Sequence, residues 1–345
     1  MLRGGGRVRP FCIASDLSYN ECTPALKRII AHACLYSSFS EATSFIKEQH
    51  RLDIPISTCR AIFLEAAAAA EQLQQALSAA TSSAETASEA LPEAVVIAEA
   101  DGVMVPMVNT TVPPEKAPFS SDRRRHRSVL WKEAKTAAIS ISSDAGNWRY
   151  AASFGDADAL VKGGALAAAA VGYQPGMQVH VLADGATWIQ EWGEDVFGSD
   201  ARQTVDLYHL LEYAAAAGHE IDPNSMAWVD SLSTWCRNGS AEEAAAELKR
   251  STFYTPNNQD SAVLKFVRYI ENRPNQFNYP TLREAGLPVG SGKIESTNRQ
   301  LVQKRMKLPG AWWHSSSVPP VLNLLVTWYN GQWKDLWAAR PQAAA

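Results

Sequence analysis

The stretch Ala94-Val-Val-Ile-Ala-Glu-Ala-Asp-Gly-Val-Met-Val-Pro-Met restricts the fold more than any other part of the chain. It is a long apolar run rich in β-branched residues, which suit a pleated strand better than a helix. Two more strands are expected near residues 134–141 and 149–154. Residues 157–172 read as a helix weakened by two glycines, and 176–184 as a strand ending in Asp-Gly. A short strand at 203–206 runs into a helix over 207–217. The resulting order, β-β-β-α-β-α-β-α, has three hairpin-linked strands followed by α/β alternation, which predicts an α/β sheet.

The regions on either side read differently. Residues 1–91 are helical in pattern. Thr23-Pro24 opens a first helix with a cap and a proline at its first position. A second helix is expected over about 40–49, and Ser57 caps a third that carries Cys59, Ile62, Phe63 and Ala66. Two short helices, a turn and a third helix suit a helix-turn-helix DNA-binding module, and a plain helical bundle suits the pattern as well. Residues 78–92, rich in Ser, Ala, Thr and Glu, read as a polar linker. Residues 218–285 carry Trp228, Leu232, Trp235, Leu248, Leu264, Val267 and Ile270 at helical spacings. A helix over 293–306, an apolar helix over 321–337 and a disordered tail from about 338 complete the chain.

Composition removes several classes. Five cysteines, none in a C-x-x-C pair, give neither a disulfide framework nor a zinc module. The start, Met1-Leu-Arg-Gly-Gly-Gly-Arg, has no apolar segment of the signal-peptide kind, and no apolar run reaches membrane-spanning length. A soluble, cytoplasmic protein with no membrane partner is the expectation. The formal charge of −4 means that contact with nucleic acid must come from local basic patches.

Two Ala-Asp-Gly sites stand out. Each sets a carboxylate, Asp101 or Asp184, at or inside an apolar strand, where an ionised Asp is costly unless paired or bound to metal. Asp-Gly also makes tight turns, so a hairpin tip and a mid-strand carboxylate both fit Asp101. Asp184 closes its strand, where α/β sheets place ligand sites. The third feature is Gly290-Ser-Gly-Lys-Ile-Glu-Ser-Thr-Asn-Arg. It lacks the phosphate-loop pattern, because Ile294 follows Lys293. Glu295 lies in the first helical turn, with Asn298 and Arg299 three and four places on. Lys293, Arg299, Lys304, Arg305 and Lys307 stand against Glu295 as the only acid between 293 and 307, a balance that suits a phosphate backbone or a solvated helix face. Asp206-Leu-Tyr-His209 fits a metal-ligand pair or a helix cap with a structural His. Arg123, Arg124 and Arg125 form a basic loop that suits DNA or solvent.

With these motifs in this order, the chain resembles bacterial insertion-sequence transposases of the DDE class, closest to the ISKra-type group and more distantly the mutator-like elements. The resemblance covers roughly residues 20–337. It rests on Ala100-Asp-Gly-Val-Met-Val, Trp131-Lys-Glu-Ala-Lys, Leu182-Ala-Asp-Gly-Ala-Thr-Trp-Ile, Val205-Asp-Leu-Tyr-His-Leu and the Gly290–Arg299 motif. It implies an RNase H-like mixed five-stranded sheet flanked by helices, with an all-helical insertion and an N-terminal helix-turn-helix-like region. The implied divisions are 1–91, 92–213 and 286–337 for the two parts of the core, 214–285 for the insertion, and 338–345 for the tail. It also implies Asp101, Asp184 and Glu295 as catalytic carboxylates holding two Mg²⁺ or Mn²⁺ ions, which in such centres lie about 3.5–4 Å apart. Asp206 and His209 fit the family's D-x-x-H element in support. Lys293, Asn298, Arg299, Lys304, Arg305, Lys307 and Arg123–Arg125 are the expected DNA contacts. The implied partners are element ends and a target duplex, held by a homodimer on the nucleoid.

Relatives carry a longer N-terminal region, and Gly4-Gly-Gly-Arg reads as an abrupt start. A shortened, transposase-derived DNA-binding protein is therefore one alternative, and an RNase H-like nuclease with another role is a second. A paired-carboxylate sugar hydrolase has the right residue types, but the basic helix and the motif order disfavour it.

Overall fold

The computed structural model describes residues 22–83, 94–110, 127–155, 157–199 and 201–338. Arg123, Arg124 and Arg125 lie outside them, as does the tail from residue 339. The helices α1 (Pro24–Ala33), α2 (Phe39–His50) and α3 (Ile56–Ser83) come first. Then follow β1 (Val95–Thr110), β2 (Arg127–Ile141), β3 (Asp144–Phe154), α4 (Ala157–Ala170), β4 (Gln178–Ala183), α5 (Thr187–Phe197) and β5 (Arg202–Val205). Helices α6 (Leu207–Ile221), α7 (Ala227–Arg237), α8 (Ala241–Arg250), α9 (Ala262–Glu271) and α10 (Tyr279–Glu284) lead to α11 (Gly292–Thr297). A π-helical segment (Asn298–Gln303), α12 (Lys304–Met306), α13 (Val318–Tyr329) and α14 (Trp333–Ala338) close the described chain.

The fold is α/β, with a five-stranded mixed sheet in the order β3-β2-β1-β4-β5. β1 and β4 pair in parallel, as do β4 and β5, while β2 and β3 are antiparallel. β2 also runs against β1, since Val95 meets Ser142 and Asp101 meets Thr136. The period of two along a strand divides the sheet into two faces. Val96, Ala98 and Ala100 of β1 join Val179, Val181 and Ala183 of β4 in a core shared with α4 and α5. The opposite face takes Ile97, Glu99 and Asp101 of β1 with His180 and Leu182 of β4, their neighbours in register.

The two glycines of α4 have a packing role. A Cβ at Gly164 would lie 3.0 Å from Nε1 of Trp192, and one at Gly163 would lie 3.0 Å from Cβ of Ala151. Their absence lets Trp192 of α5 bury fully and donate to the Leu160 carbonyl at 3.3 Å. The helix gives up intrinsic propensity, about 1 kcal/mol per glycine relative to alanine, for close contact.

Two compact units divide the chain: one within Ser83–Val103 and Ala134–Asn298, the other within Met1–Ser82, Met104–Glu133 and Arg299–Ala345. The first contains the paired parts of the sheet and the helices α4 to α11. In it α6 to α10 build their own core around Leu210, Phe266, Val267 and Tyr279. The second holds α1–α3 and α12–α14. There Gln74 of α3 donates to Oγ1 of Thr327 at 2.9 Å and to Oε1 of Gln332 at 2.8 Å.

Three local expectations need correction. Helix α3 begins at Ile56, so Ser57 lies inside its first turn and does not cap it. The same helix runs on to Ser83, into the expected linker, because its alanine-rich middle is built of the strongest helix former. The expected helix over 321–337 is two helices, α13 and α14, separated where Gly331 takes φ +75°. No helix among the described residues is long and apolar enough to cross a membrane.

Gly218 gives a test of the packing between α6 and α7. A Cβ there would lie 2.6 Å from the backbone nitrogen of Val229, so Gly218→Ala forces the two helices apart. The loss is expected to exceed the helix-propensity gain and to leave a net destabilisation of about 1–2 kcal/mol. A denaturant midpoint equal to that of the unsubstituted chain would refute the close approach.

Candidate active site

The site forms where the parallel strands β4 and β5 end beside the middle of β1. Register pairs Glu99 with Leu182 and Ala183 with Val205. Carried past the last paired residues, the same register sets Asp101 beside Asp184 and Asp184 beside Asp206. Asp101 lies within β1, so the mid-strand alternative holds and the hairpin tip does not. Asp184 follows β4 directly, and Asp206 follows β5. The row of acids therefore reflects strand pairing, with Asp101 on the face of β1 away from α4 and α5.

Each acid meets a different set of donors. Asp206 is buried and caps α6. Its Oδ1 accepts from the Tyr208 amide at 2.6 Å and the His209 amide at 3.2 Å. Its Oδ2 accepts both the amide and the hydroxyl of Ser291, each at 2.5 Å. Four hydrogen bonds make Asp206 the pin between the start of α6 and the Gly290-Ser-Gly turn. His209 is half-exposed, with Nδ1 3.7 Å from Oε2 of Glu212.

Asp101 is half-buried. Its Oδ1 accepts the Gly102 amide and its Oδ2 accepts Nδ2 of Asn298, both at 2.7 Å. Burial pushes its carboxyl above the ordinary Asp range; the Gly102 amide opposes this, and the neighbouring charge of Asp184 adds to it. Asp184 accepts the Ala186 amide at 2.9 Å. Its own turn contains Gly185 at φ +85°, a conformation that favours glycine.

Glu99, two residues before Asp101 on the same face, is 2 % exposed and drew no attention as a site residue from sequence. Its Oε2 accepts the Ile294 amide at 2.8 Å, in the first turn of α11. Burial raises its carboxyl to about 7, against the pull of the Ile294 and Lys293 amides and with the push of Asp206. Nearby, Nε2 of His180 donates to the Pro288 carbonyl at 3.1 Å. Burial lowers the affinity of His180 for a proton. β1, β4 and the end of β5 thus hold the 288–298 segment at four points, through Glu99, Asp101, His180 and Asp206.

The third expected carboxylate behaves differently. Glu295 is exposed on α11, one turn before Asn298. Among the described residues, no three His, Cys, Asp or Glu side chains stand together as a metal-binding group. The structure therefore brings Asp101 and Asp184 together and leaves Glu295 outside that pair. As a donor set, the pair offers two hard oxygen ligands of the kind a divalent cation takes, and the charge of Asp184 raises the cost of charge on Asp101.

The expected DNA contacts divide in the same way. Arg299 and Lys304 are exposed. Lys293 lies 5.2 Å from the ring centre of Trp148 and 5.6 Å from that of Tyr150. Lys307 lies 5.9 Å from the ring of Trp131. Asn298 and Arg305 are buried and committed elsewhere, which corrects their expected place on a DNA-facing surface. Asn298 accepts from Oγ1 of Thr136 as well as donating to Asp101. Arg305 donates to the Cys34 carbonyl at 2.7 Å and packs among Phe39, Phe63 and Trp313.

No protein-family model matches the chain, and no curated protein matches it, so function has to be read from this site.

Glu99→Gln tests the electrostatics. With its folded pKa raised, Glu99 contributes stability that is present below about 4.5 and lost as pH rises towards about 7. Glutamine keeps an acceptor for the Ile294 amide and removes that loss. The variant is expected to gain about 1–3 kcal/mol over the unsubstituted chain at pH 8, and to lose this advantage at pH 4.5. His180 acts in the opposite window, losing stability as pH falls below 6.5, and does so equally in both proteins. Urea unfolding at several pH values checks this; a gain of the same size at pH 4.5 and 8 refutes it.

Proposed function

We propose that the chain is a DDE-type transposase with an RNase H-like core, cutting DNA at element ends and joining the freed 3′-hydroxyl to a target duplex. The observation that carries this reading is the closeness of Asp101, inside β1, to Asp184, just past the end of the adjacent parallel strand β4. The segment bearing Glu295 is tied to β1 through Glu99 and Asn298. The mixed five-stranded sheet flanked by helices is compatible with an RNase H-like core.

On this reading Asp101 and Asp184 hold a divalent cation, Mg²⁺ or Mn²⁺, and Glu295 completes the ligand set. When bound, such ions activate water and stabilise the charge that develops on a leaving 3′-oxygen. The protein's own contribution is placement. Asn298 orients one oxygen of Asp101 and the Gly102 amide the other. Asp206, satisfied by four donors, anchors the Ser291 turn and through it the start of α11. Glu99 fixes the first turn of that helix, so the backbone that carries Glu295 is positioned before DNA arrives. Lys293, Arg299, Lys304 and Lys307 take phosphates along the strand, and His209 stands beside the acid row in support. A dimer on DNA suits the need to hold two element ends together.

The test uses the full chain with Mn²⁺, a supercoiled plasmid and a labelled duplex ending in a 3′-hydroxyl. Nicking of the plasmid and joining of the labelled end are both expected. Asp101→Asn, Asp184→Asn and Glu295→Gln should each lower both products by about 100-fold or more. Cutting without joining reassigns the chain as a hydrolytic nuclease. Full activity in Glu295→Gln removes Glu295 from the centre.

A further inference from the structure

We infer that Tyr269 and Arg273, from the end of α9, are positioning residues for Asp184. This rests on the reading of Asp184 as a cation ligand and adds the device that sets it. The hydroxyl of Tyr269 donates to the Asp184 carbonyl at 2.5 Å. Nε of Arg273 donates to the next carbonyl, that of Gly185, at 2.9 Å, and Nη1 donates to the Tyr269 carbonyl at 2.9 Å. Two successive carbonyls of the turn after β4 are therefore held by one helix end that is remote in sequence.

The contact is built closely. The Arg273 guanidinium lies 4.0 Å from the centre of the Tyr269 ring, and Tyr213 of α6 stacks on that ring at 4.2 Å with 20° between the planes. Tyr269 is buried and held in one orientation by these neighbours, so its hydroxyl has a fixed direction. A Cβ on Gly185 would lie 2.0 Å from Nε of Arg273, and Gly185 already needs φ +85°. Both the turn and the approach of Arg273 require glycine at this position.

Geometry links the clamp to the carboxylate. The turn spans three residues: the Asp184 carbonyl goes to Tyr269, the Gly185 carbonyl goes to Arg273, and the Ala186 amide returns to Oδ1 of Asp184. With both carbonyls fixed towards α9, the side chain of Asp184 stays on the sheet face that carries Asp101. Without the clamp the peptide between 184 and 185 can rotate, and the carboxylate moves with it. Helices α6 to α10 thereby set a residue of the sheet.

Tyr269→Phe keeps the ring and its stacking and removes only the hydroxyl. Arg273→Gln removes the fork, and Arg273→Lys keeps the charge but can serve one carbonyl at most. Two readouts are taken on the full chain: Mn²⁺ affinity by electron paramagnetic resonance, and amide hydrogen exchange over residues 185–188. Tyr269→Phe and Arg273→Gln are expected to weaken Mn²⁺ binding about 5- to 10-fold and to speed exchange in the turn about 10-fold, with Arg273→Lys between them and the unsubstituted chain. Unchanged exchange in both variants overturns the clamp. So does faster exchange with unchanged Mn²⁺ affinity, because the turn would then hold its backbone without holding the carboxylate. An unsubstituted chain that binds no Mn²⁺ removes the metal reading alone, and the exchange data then decide the clamp by themselves.

Discussion

Everything at this site depends on the burial of carboxylates along one face of β1. A strand exposes alternate residues to alternate sides, so a chain that buries Val96, Ala98 and Ala100 in the core presents Glu99 and Asp101 on the other face. Covering that face takes two acids out of water, which is unfavourable unless donors are supplied. The 288–298 segment supplies them, through the Ile294 amide for Glu99 and the Asn298 side chain for Asp101. The segment and the strand therefore need each other: the segment buries the acids, and the acids fix the segment.

The row of acids is graded by how fully each is satisfied. Asp206 accepts four hydrogen bonds and acts as a structural anchor. Glu99 takes amides from the start of α11 and remains hard to ionise. Asp101 and Asp184 are only half-buried, and the charge of Asp184 disfavours ionisation of Asp101. This is the pair to which the proposed function assigns a cation. The grading also separates roles that composition alone leaves mixed, since all four are carboxylates at strand ends or inside strands.

How much of this was legible in the sequence follows from the range of each interaction. The strand over 94–107 and the Asp-Gly that ends β4 are local patterns, and both were readable. The cap made by Asp206 is local too, but its bonds to Ser291 join residues far apart in the chain, so only half of its role could be read. Asp101 stayed open between a turn and a strand because Asp-Gly suits both, and its place inside β1 settles it. Glu99 was hidden inside the most readable strand of all. Its significance comes from an amide contributed by a helix that periodicity cannot place against it. Asn298 and Arg305 were misread for a related reason: a basic, polar helix looks solvated when its partners, Thr136 and the Phe39, Phe63 and Trp313 rings, are out of sequence range.

A π-helical segment begins at Asn298, the residue whose side chain holds Asp101. A π turn inserts an extra residue and rotates everything beyond it relative to a regular α-helix. Before the segment, Ile294 and Thr297 are buried and Glu295 faces out; after it, Arg305 and Met306 are buried and Lys304 faces out. The acid-bearing turn before it is held by Asp101, Glu99 and Asp206. Glu295 belongs to the part of the helix fixed by acids, one turn before the residue that touches Asp101, and this placement is why it remains the third carboxylate of the proposal although it faces solvent here.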